Sequence, residues 1–270
     1  MGVRVVGLAV LVACAAVAQG QAAATQESQP ATQESQSAAL MQAGLRQLAA
    51  TAQSLQHDLP SFTCNESGLS QAIKKKKVKA QTRFAGELRV QRGQDGRLHE
   101  RLDVTEVNGK PYRGGRFEPP FMVEGGFDQS LDYFLPGRQA CFRFSGDRGR
   151  IDFESAPGTM DRPGCAEAGA PRGFALLDEA GNVTHVERQV PPELARQAHI
   201  VDFSSVDFVA TELGGKMYPL SAKVVAEVAK DGQTLHFEAA YTGCHLFKAT
   251  STILPDVTPV PEGGPAPPHP

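Results

Sequence analysis

Tryptophan is absent from the 270 residues, and aromatic side chains make up only 7% of them. Any face that holds a ligand must therefore be built from Phe, Leu, Met and Tyr. Charge of one sign is lacking as well: 27 basic and 30 acidic side chains leave a formal net charge of −3, which becomes −4 if Arg4 is removed with a signal. That balance offers no electrostatic footprint for nucleic acid. Motifs that carry familiar chemistry are missing. There is no G-x-S-x-G elbow, no H-E-x-x-H pair, no P-loop and no dinucleotide fingerprint, so the reading is non-catalytic and needs no cofactor. After the first eighteen residues, no apolar run approaches the roughly 20 residues needed to span a bilayer.

The one long apolar run stands at the start. Arg4 precedes Val5 through Ala18, too short for a membrane span and ending in small residues. Residues 1–18 read as an export signal. Ala16-Val17-Ala18 before Gln19 fits an A-x-A cleavage site that releases a soluble protein. Leu11-Val12-Ala13-Cys14 equally fits a lipobox in which Cys14 is acylated, and lipid chains contribute about 0.8 kcal/mol per buried CH₂ toward holding a chain at a membrane. Both readings place the protein outside the cytoplasm, in the periplasm or anchored at the outer membrane. A lipid anchor at Cys14 is then the only route to the membrane.

Residues 19–37 read as a disordered tether. The hexapeptide Ala24-Thr25-Gln26-Glu27-Ser28-Gln29 recurs at Ala31-Thr32-Gln33-Glu34-Ser35-Gln36, and such a Gln/Ser-rich segment buries too little apolar surface to offset its ordering entropy. The Pro- and Gly-rich stretch 255–270 reads as a disordered tail. Residues 38–254 between them are taken as one β-rich domain.

Four cysteines follow the signal: Cys64, Cys141, Cys165 and Cys244. An even count in an exported chain points to disulfides, and four cysteines allow three pairings. Cys141–Cys165, closing a local loop, and Cys64–Cys244, joining the two ends of the domain, are preferred. In the chain-entropy model these stabilise by at most roughly 3.5 and 5 kcal/mol. No C-x-x-C pair or neighbouring His at ligand spacing favours a metal.

Met41, Leu45, Leu48, Ala52 and Leu55 recur at three- and four-residue steps between Ala38 and His57, with Leu40 beside them. That spacing predicts a helix ended by Pro60, its stripe packed on a sheet. Gly44 weakens it slightly. Beyond Phe62 the period is two. Phe84, Leu88 and Val90 alternate with polar residues, as do Leu102 and Val104, Phe142 and Phe144, and Ile151 and Phe153. Asn108-Gly109, Gly214-Gly215 and Asp231-Gly232 mark hairpin turns, with another near Ala180-Gly181-Asn182. Tyr218, Leu220, Ala222, Val224, Ala226 and Val228 hold one face, and Leu235, Phe237, Ala239 and Tyr241 another. Val201 and Phe203 differ in parity from Val206, Phe208 and Ala210, which predicts a β-bulge near Ser204-Ser205. The sum is an antiparallel meander of ten or eleven strands, apolar on one face, with the helix and the Ser130–Leu135 segment as its covers. A sheet that long must curl.

The runs Leu59-Pro60-Ser61-Phe62-Thr63-Cys64, Val107-Asn108-Gly109-Lys110, Gly215-Lys216-Met217-Tyr218-Pro219-Leu220 and His245 through Ile253 resemble a group of uncharacterised exported proteins abundant in soil acidobacteria. The plan of helix then meander is also similar to the lipoprotein carrier LolA and the envelope-stress sensor RseB. That resemblance implies a curved half-barrel whose concave apolar face takes acyl chains.

The candidate ligand-lining residues are Phe84, Leu88, Phe203, Phe208, Leu220 and Val224, for a lipid or acyl ligand. The alternative is an envelope scaffold or protein-interaction module, with a protein partner and a core filled by its own side chains. A third reading, a hydrolase with an unfamiliar site, needs a buried titratable pair. Cys244 beside His245 is no nucleophile if disulfide-bonded, and Asp202 with Asp207 reads as a solvated strand face. The lysines at 74, 75, 76, 77 and 79 read as an edge or protruding ribbon that discourages aggregation, or as a contact for anionic head groups or polymers.

Overall fold

The period-two runs all become strands, and all of them join one sheet. The computed structural model describes residues 29–127, 129–159, 162–165, 170–198 and 201–247. The export signal, Cys14, residues 19–28 of the tether, His199, His269 and the segment 248–270 lie outside the described residues. β1 (Phe62–Lys74), β2 (Lys77–Arg92), β3 (Leu98–Val107) and the two-residue β4 (Lys110–Pro111) form one series of hairpins. β5 (Phe142–Gly146), β6 (Arg150–Ser155), β7 (Arg172–Leu177) and β8 (Val183–Gln189) begin a second series. β9 (Phe203–Leu213), β10 (Lys216–Lys230) and β11 (Gln233–Leu246) complete it. The result is mainly β: one open, curved, antiparallel sheet of eleven strands with an N-terminal helix.

Strand order corrects the simple meander. A meander leaves its first and last strands at opposite edges, whereas here the order is β4-β3-β2-β1-β11-β10-β9-β8-β7-β6-β5. β1 and β11 pair at the centre, from Phe62 opposite Leu246 to Ile73 opposite Thr234. The opening falls between β4 and β5 instead. Both edges are short, and Pro111 removes a ladder donor from one of them, which blunts pairing with another chain. The Cys64–Cys244 disulfide, with Cα atoms 4.1 Å apart, staples the central pair. Cys141–Cys165, at 5.5 Å, ties the start of β5 to the loop after β6.

A second correction concerns the bulge. β9 runs unbroken against β8 through Ser204 and Ser205. The irregularity sits on β10, between Ser221 opposite Phe208 and Lys223 opposite Asp207. Phe203 therefore keeps strict alternation with Val206 and Phe208 and lies on the convex face.

Helix α1 (Gln29–Asp58) starts upstream of its apolar stripe, so residues 29–37, expected in the tether, are helical. Leu45, Leu48, Ala52, Leu55 and Leu59 are buried on the sheet, each Leu contributing about 2 kcal/mol. Gly44 belongs to that interface. A Cβ there would sit 3.3 Å from Ile151 Cδ1 on β6 and Leu177 Cδ1 on β7, so its hydrogen lets the helix approach closely. At the other end the Arg92 guanidinium donates to the carbonyls of Leu55, Gln56, Leu59 and Gly96, capping orphan acceptors of the last turn. Tyr218 Oη donates to Asp58 O at 3.0 Å, and Lys216 pairs with the Asp58 carboxylate at 2.8 Å.

The lysine cluster forms the β1–β2 hairpin tip. Lys75 and Lys76 take φ of 50° and 60°, the left-handed turn geometry that Asn108-Gly109 and Asp231-Gly232 adopt with better-suited residues. β3 pairs with β2 only from Phe84 onward, so Lys77–Arg83 projects beyond it as a ribbon.

Removing the central disulfide should cost more than removing the local one, because it closes the longer loop. Urea unfolding of Cys64→Ala/Cys244→Ala is expected to lose up to about 5 kcal/mol, against about 3.5 kcal/mol for Cys141→Ala/Cys165→Ala.

Candidate ligand cleft

Because the sheet opens between β4 and β5, the connection from 112 to 141 must travel back across the concave face. Its aromatic residues fill that face. Phe127 meets Phe62 edge-on at 5.2 Å and Tyr241 at 5.1 Å, Phe121 meets Phe237 at 6.4 Å, and Phe134 meets Phe153 at 5.5 Å. Phe127, Leu131 and Phe134 are buried. A 3₁₀ turn (Asp132–Phe134) and the short helix α2 (Pro136–Gln139) finish the crossing.

An irregular backbone buried on a sheet needs hydrogen-bond partners from that sheet. They are present. Ser70 Oγ donates to Phe121 O at 2.6 Å, and Phe121 N donates back to Ser70 Oγ at 2.9 Å. Ser221 Oγ donates to Gly125 O at 3.3 Å, and Gly125 N donates to Glu100 Oε2 at 2.6 Å. The concave face is therefore not apolar throughout, which corrects the expectation from strand patterning.

The crossing leaves one cleft of about 420 Å³ above β8, β9 and β10. Val186, Val206, Val224 and Ala226 form its apolar wall. Opposite stand Glu124, Gln129, Ser130, Asp132, Tyr133 and Arg138 from the crossing and α2, with Arg188 from β8 beside them. Arg188 Nη1 donates to Tyr133 Oη at 3.2 Å and Nη2 to Val201 O at 3.0 Å. Gln56 Nε2 donates to Asp132 Oδ1 at 3.1 Å. Tyr133 itself stacks on Phe153 at 4.9 Å.

On the other side of Val123–Gly125 lies a smaller, acidic cleft of about 210 Å³, lined by Glu66, Leu88, Glu100, Leu102, Met122 and Glu124. Glu66 is only 5% exposed. Burial, and then the neighbouring Glu100 carboxylate, push its pKa up to about 7. Tyr241 lies opposite Glu66 in the β1–β11 register, and burial raises its phenol well above the ordinary value.

The six residues expected to line a ligand site do not meet in one place. Val224 alone lines the larger cleft. Leu88 borders the acidic one. Phe208 lines a separate cleft of about 330 Å³ against α1. Phe84 is buried between Phe117 at 5.4 Å and Phe237 at 6.2 Å. Leu220 is buried and lines none of these clefts. Phe203 borders a convex-side groove with Arg172, Gln189 and Glu227.

Glu66, Arg138 and Arg188 were not among the expected residues. Glu66 shares the parity of Phe62 and Cys64, and Arg188 that of Val186, so both carried a faint signal of facing inward. Arg138 carried none.

Other polar candidates have structural partners. Asp202 Oδ2 accepts from Ala229 N at 3.0 Å, while Asp207 holds His185 Nδ1 at 2.6 Å, so the two carboxylates do not form a pair. His236 Nδ1 bonds Glu227 at 3.0 Å on the convex face. Cys244 is consumed by its disulfide, and His245 Nε2 bonds Thr63 Oγ1 at 3.0 Å. Among the described residues no three His, Cys, Asp or Glu side chains cluster as metal ligands.

These features define a class of structure: an open antiparallel half-barrel with a helix and a crossing strap packed into its concavity. No protein-family model matches the chain, and no curated protein matches it in sequence. Among solved structures it is similar to a LolA superfamily protein from Nitrosomonas europaea, at 10% identity and TM-score 0.32, covering 76% of this chain and 94% of that one. It is similar to a DUF1329 family protein from Desulfovibrio piger, at 10% identity and TM-score 0.37, covering 78% and 95%. A domain from Vibrio parahaemolyticus named for outer membrane lipoprotein sorting aligns at 11% identity and TM-score 0.31, over 76% and 92%.

Glu66 makes stability fall with rising pH. Its protonated form is the one folding favours, so its contribution is complete below the ordinary value of 4.5 and is lost as pH climbs toward and past about 7. The difference is about 3 kcal/mol. In urea unfolding at pH 5 and pH 8, Glu66→Gln should abolish most of this component and be the more stable protein, relative to wild type, at pH 8.

Proposed function

We propose that this chain is an exported, non-catalytic binding protein of the bacterial envelope that takes a lipid or acyl chain on the concave side of its half-barrel. One observation carries the reading. After α1 and the crossing strap have covered the sheet, a cleft of about 420 Å³ with a wall of Val186, Val206, Val224 and Ala226 stays open. Its size and its mix of apolar wall and few polar groups suit a small amphipathic molecule. The site lies over β8–β10 and keeps only Val224 of the six expected lining residues, while Phe84 is packed against Phe117 and Phe237. The periplasm, or the outer membrane if Cys14 is acylated, is the compartment that goes with this role.

A second reading has an observation of its own. The region around Phe84, Phe117, Phe121 and Phe237 is closed ring against ring, as expected of an envelope scaffold whose core is self-filled and whose partner is a protein.

Fluorescence titration with a polyene fatty acid separates the two. A binding protein gives saturable binding near micromolar Kd, and Ser204→Phe, at the rim of the cleft, weakens it at least tenfold while the urea midpoint stays within about 1 kcal/mol of wild type. Absence of saturable binding, with lipid-free protein recovered from the native membrane fraction, favours the scaffold.

A further inference from the structure

The cleft over β8–β10 contains two cations whose hydrogen-bonding capacity the described residues use only in part. A guanidinium offers five N–H donors in a planar fork. Several such forks elsewhere on the described chain are engaged. Arg92 donates to four carbonyls, those of Leu55 and Gln56 in α1, Leu59 just beyond it and Gly96, and Arg89, Arg143 and Arg150 sit on carboxylates at 2.7–3.0 Å. Arg188 places two donors, on Tyr133 and on Val201, and its Nε is buried with no partner. The Arg138 guanidinium donates to no described group, and its Nε is likewise buried without a partner. Neither is within ion-pair distance of a carboxylate among the described residues.

The two arginines reach the cleft from separate elements, Arg138 from α2 and Arg188 from β8, where it follows Val186 of the valine wall on the same face. Resting on the binding role proposed above, we infer that this end of the cleft is an anion site. It receives the carboxylate or phosphate headgroup of an amphiphile whose chain lies on Val186, Val206, Val224 and Ala226. A planar fork with open donors matches either oxyanion, and charge-assisted bonds of this kind are strong where water is partly excluded. Asp132, already bonded by Gln56, and Glu124 also face the cleft. Their negative charge keeps a lone inorganic anion from being held strongly, so the apolar chain and the headgroup act together. Tyr133 Oη accepts from Arg188, which leaves its own proton as a further donor to the headgroup.

Isothermal titration of the full mature chain at pH 7 with decanoate, decyl phosphate and decanol tests this. The chain length is common to all three, so only the head differs. At least one of the two anions is expected to bind ten times or more tighter than decanol, and the tighter anion names the headgroup. In Arg138→Gln the anion-to-alcohol ratio should fall at least tenfold, and in Arg138→Lys, which keeps the charge but loses the fork, it should fall by less. Arg138 bonds no described group through its side chain, so folding is expected to survive, as circular dichroism would verify. Equal affinity for decanol and both anions, or an unchanged ratio in Arg138→Gln, overturns the anion site while leaving the binding role standing. Failure of all three to bind removes the binding role and the anion site with it.

Discussion

The pairing of β1 with β11, running from Phe62 opposite Leu246 to Ile73 opposite Thr234 and stapled by Cys64–Cys244, sets where the sheet must break. With the two ends of the strand series joined at the centre, an eleven-strand ring has one gap left to place, and it falls between β4 and β5. The chain must bridge that gap, and the concave face is the surface whose apolar residues still need cover. The strap from 112 to 141 is the outcome. It supplies Phe117, Phe121, Phe127 and Phe134 to the core that α1 alone would leave incomplete.

A strap of irregular backbone brings its own requirement. The backbone groups of Phe121 and Gly125 lie against the sheet, and Ser70, Glu100 and Ser221 face inward to bond them. Polar groups thus enter a face that strand alternation would otherwise keep apolar. Glu66 is held toward its neutral form, first by its own burial and then by the Glu100 carboxylate. The strap also divides the concavity. Glu66, Glu100 and Glu124 line the cleft on the β1–β3 flank, whereas two arginines stand with Glu124 and Asp132 on the β8–β10 flank.

Much of the scaffold was legible. Alternation at Phe84–Val90, Ile151–Phe153, Tyr218–Leu220 and Leu235–Tyr241 marks strands because one face of each is buried. Asn108-Gly109, Gly214-Gly215 and Asp231-Gly232 mark turns because few other residues accept a positive φ. The cysteine pairing followed from one short and one long loop. The apolar stripe of α1 was visible too, although Gly44 read as a weakness when it is the contact that lets the helix lie on β6 and β7. The bulge expected near Ser204-Ser205 is absent, because Phe203 faces the convex side and β9 has no change of parity to absorb; the extra residue is Ala222 on β10.

By itself, the order of the residues determined the strands and turns, the single curved sheet and the pairing of its thiols as disulfides of some kind, since each rests on local periodicity, turn chemistry or an even count of thiols. Tertiary structure alone decided which strands stand side by side, which part of the concavity is filled and which stays open. Those outcomes depend on contacts between residues far apart in the chain. Phe84 and Phe237 stack across strands more than 150 positions apart in number, and Arg138 meets Arg188 only because the strap returns over β8. A pattern of near neighbours along the sequence carries the direction in which a side chain points, but not the partner that occupies the space in front of it.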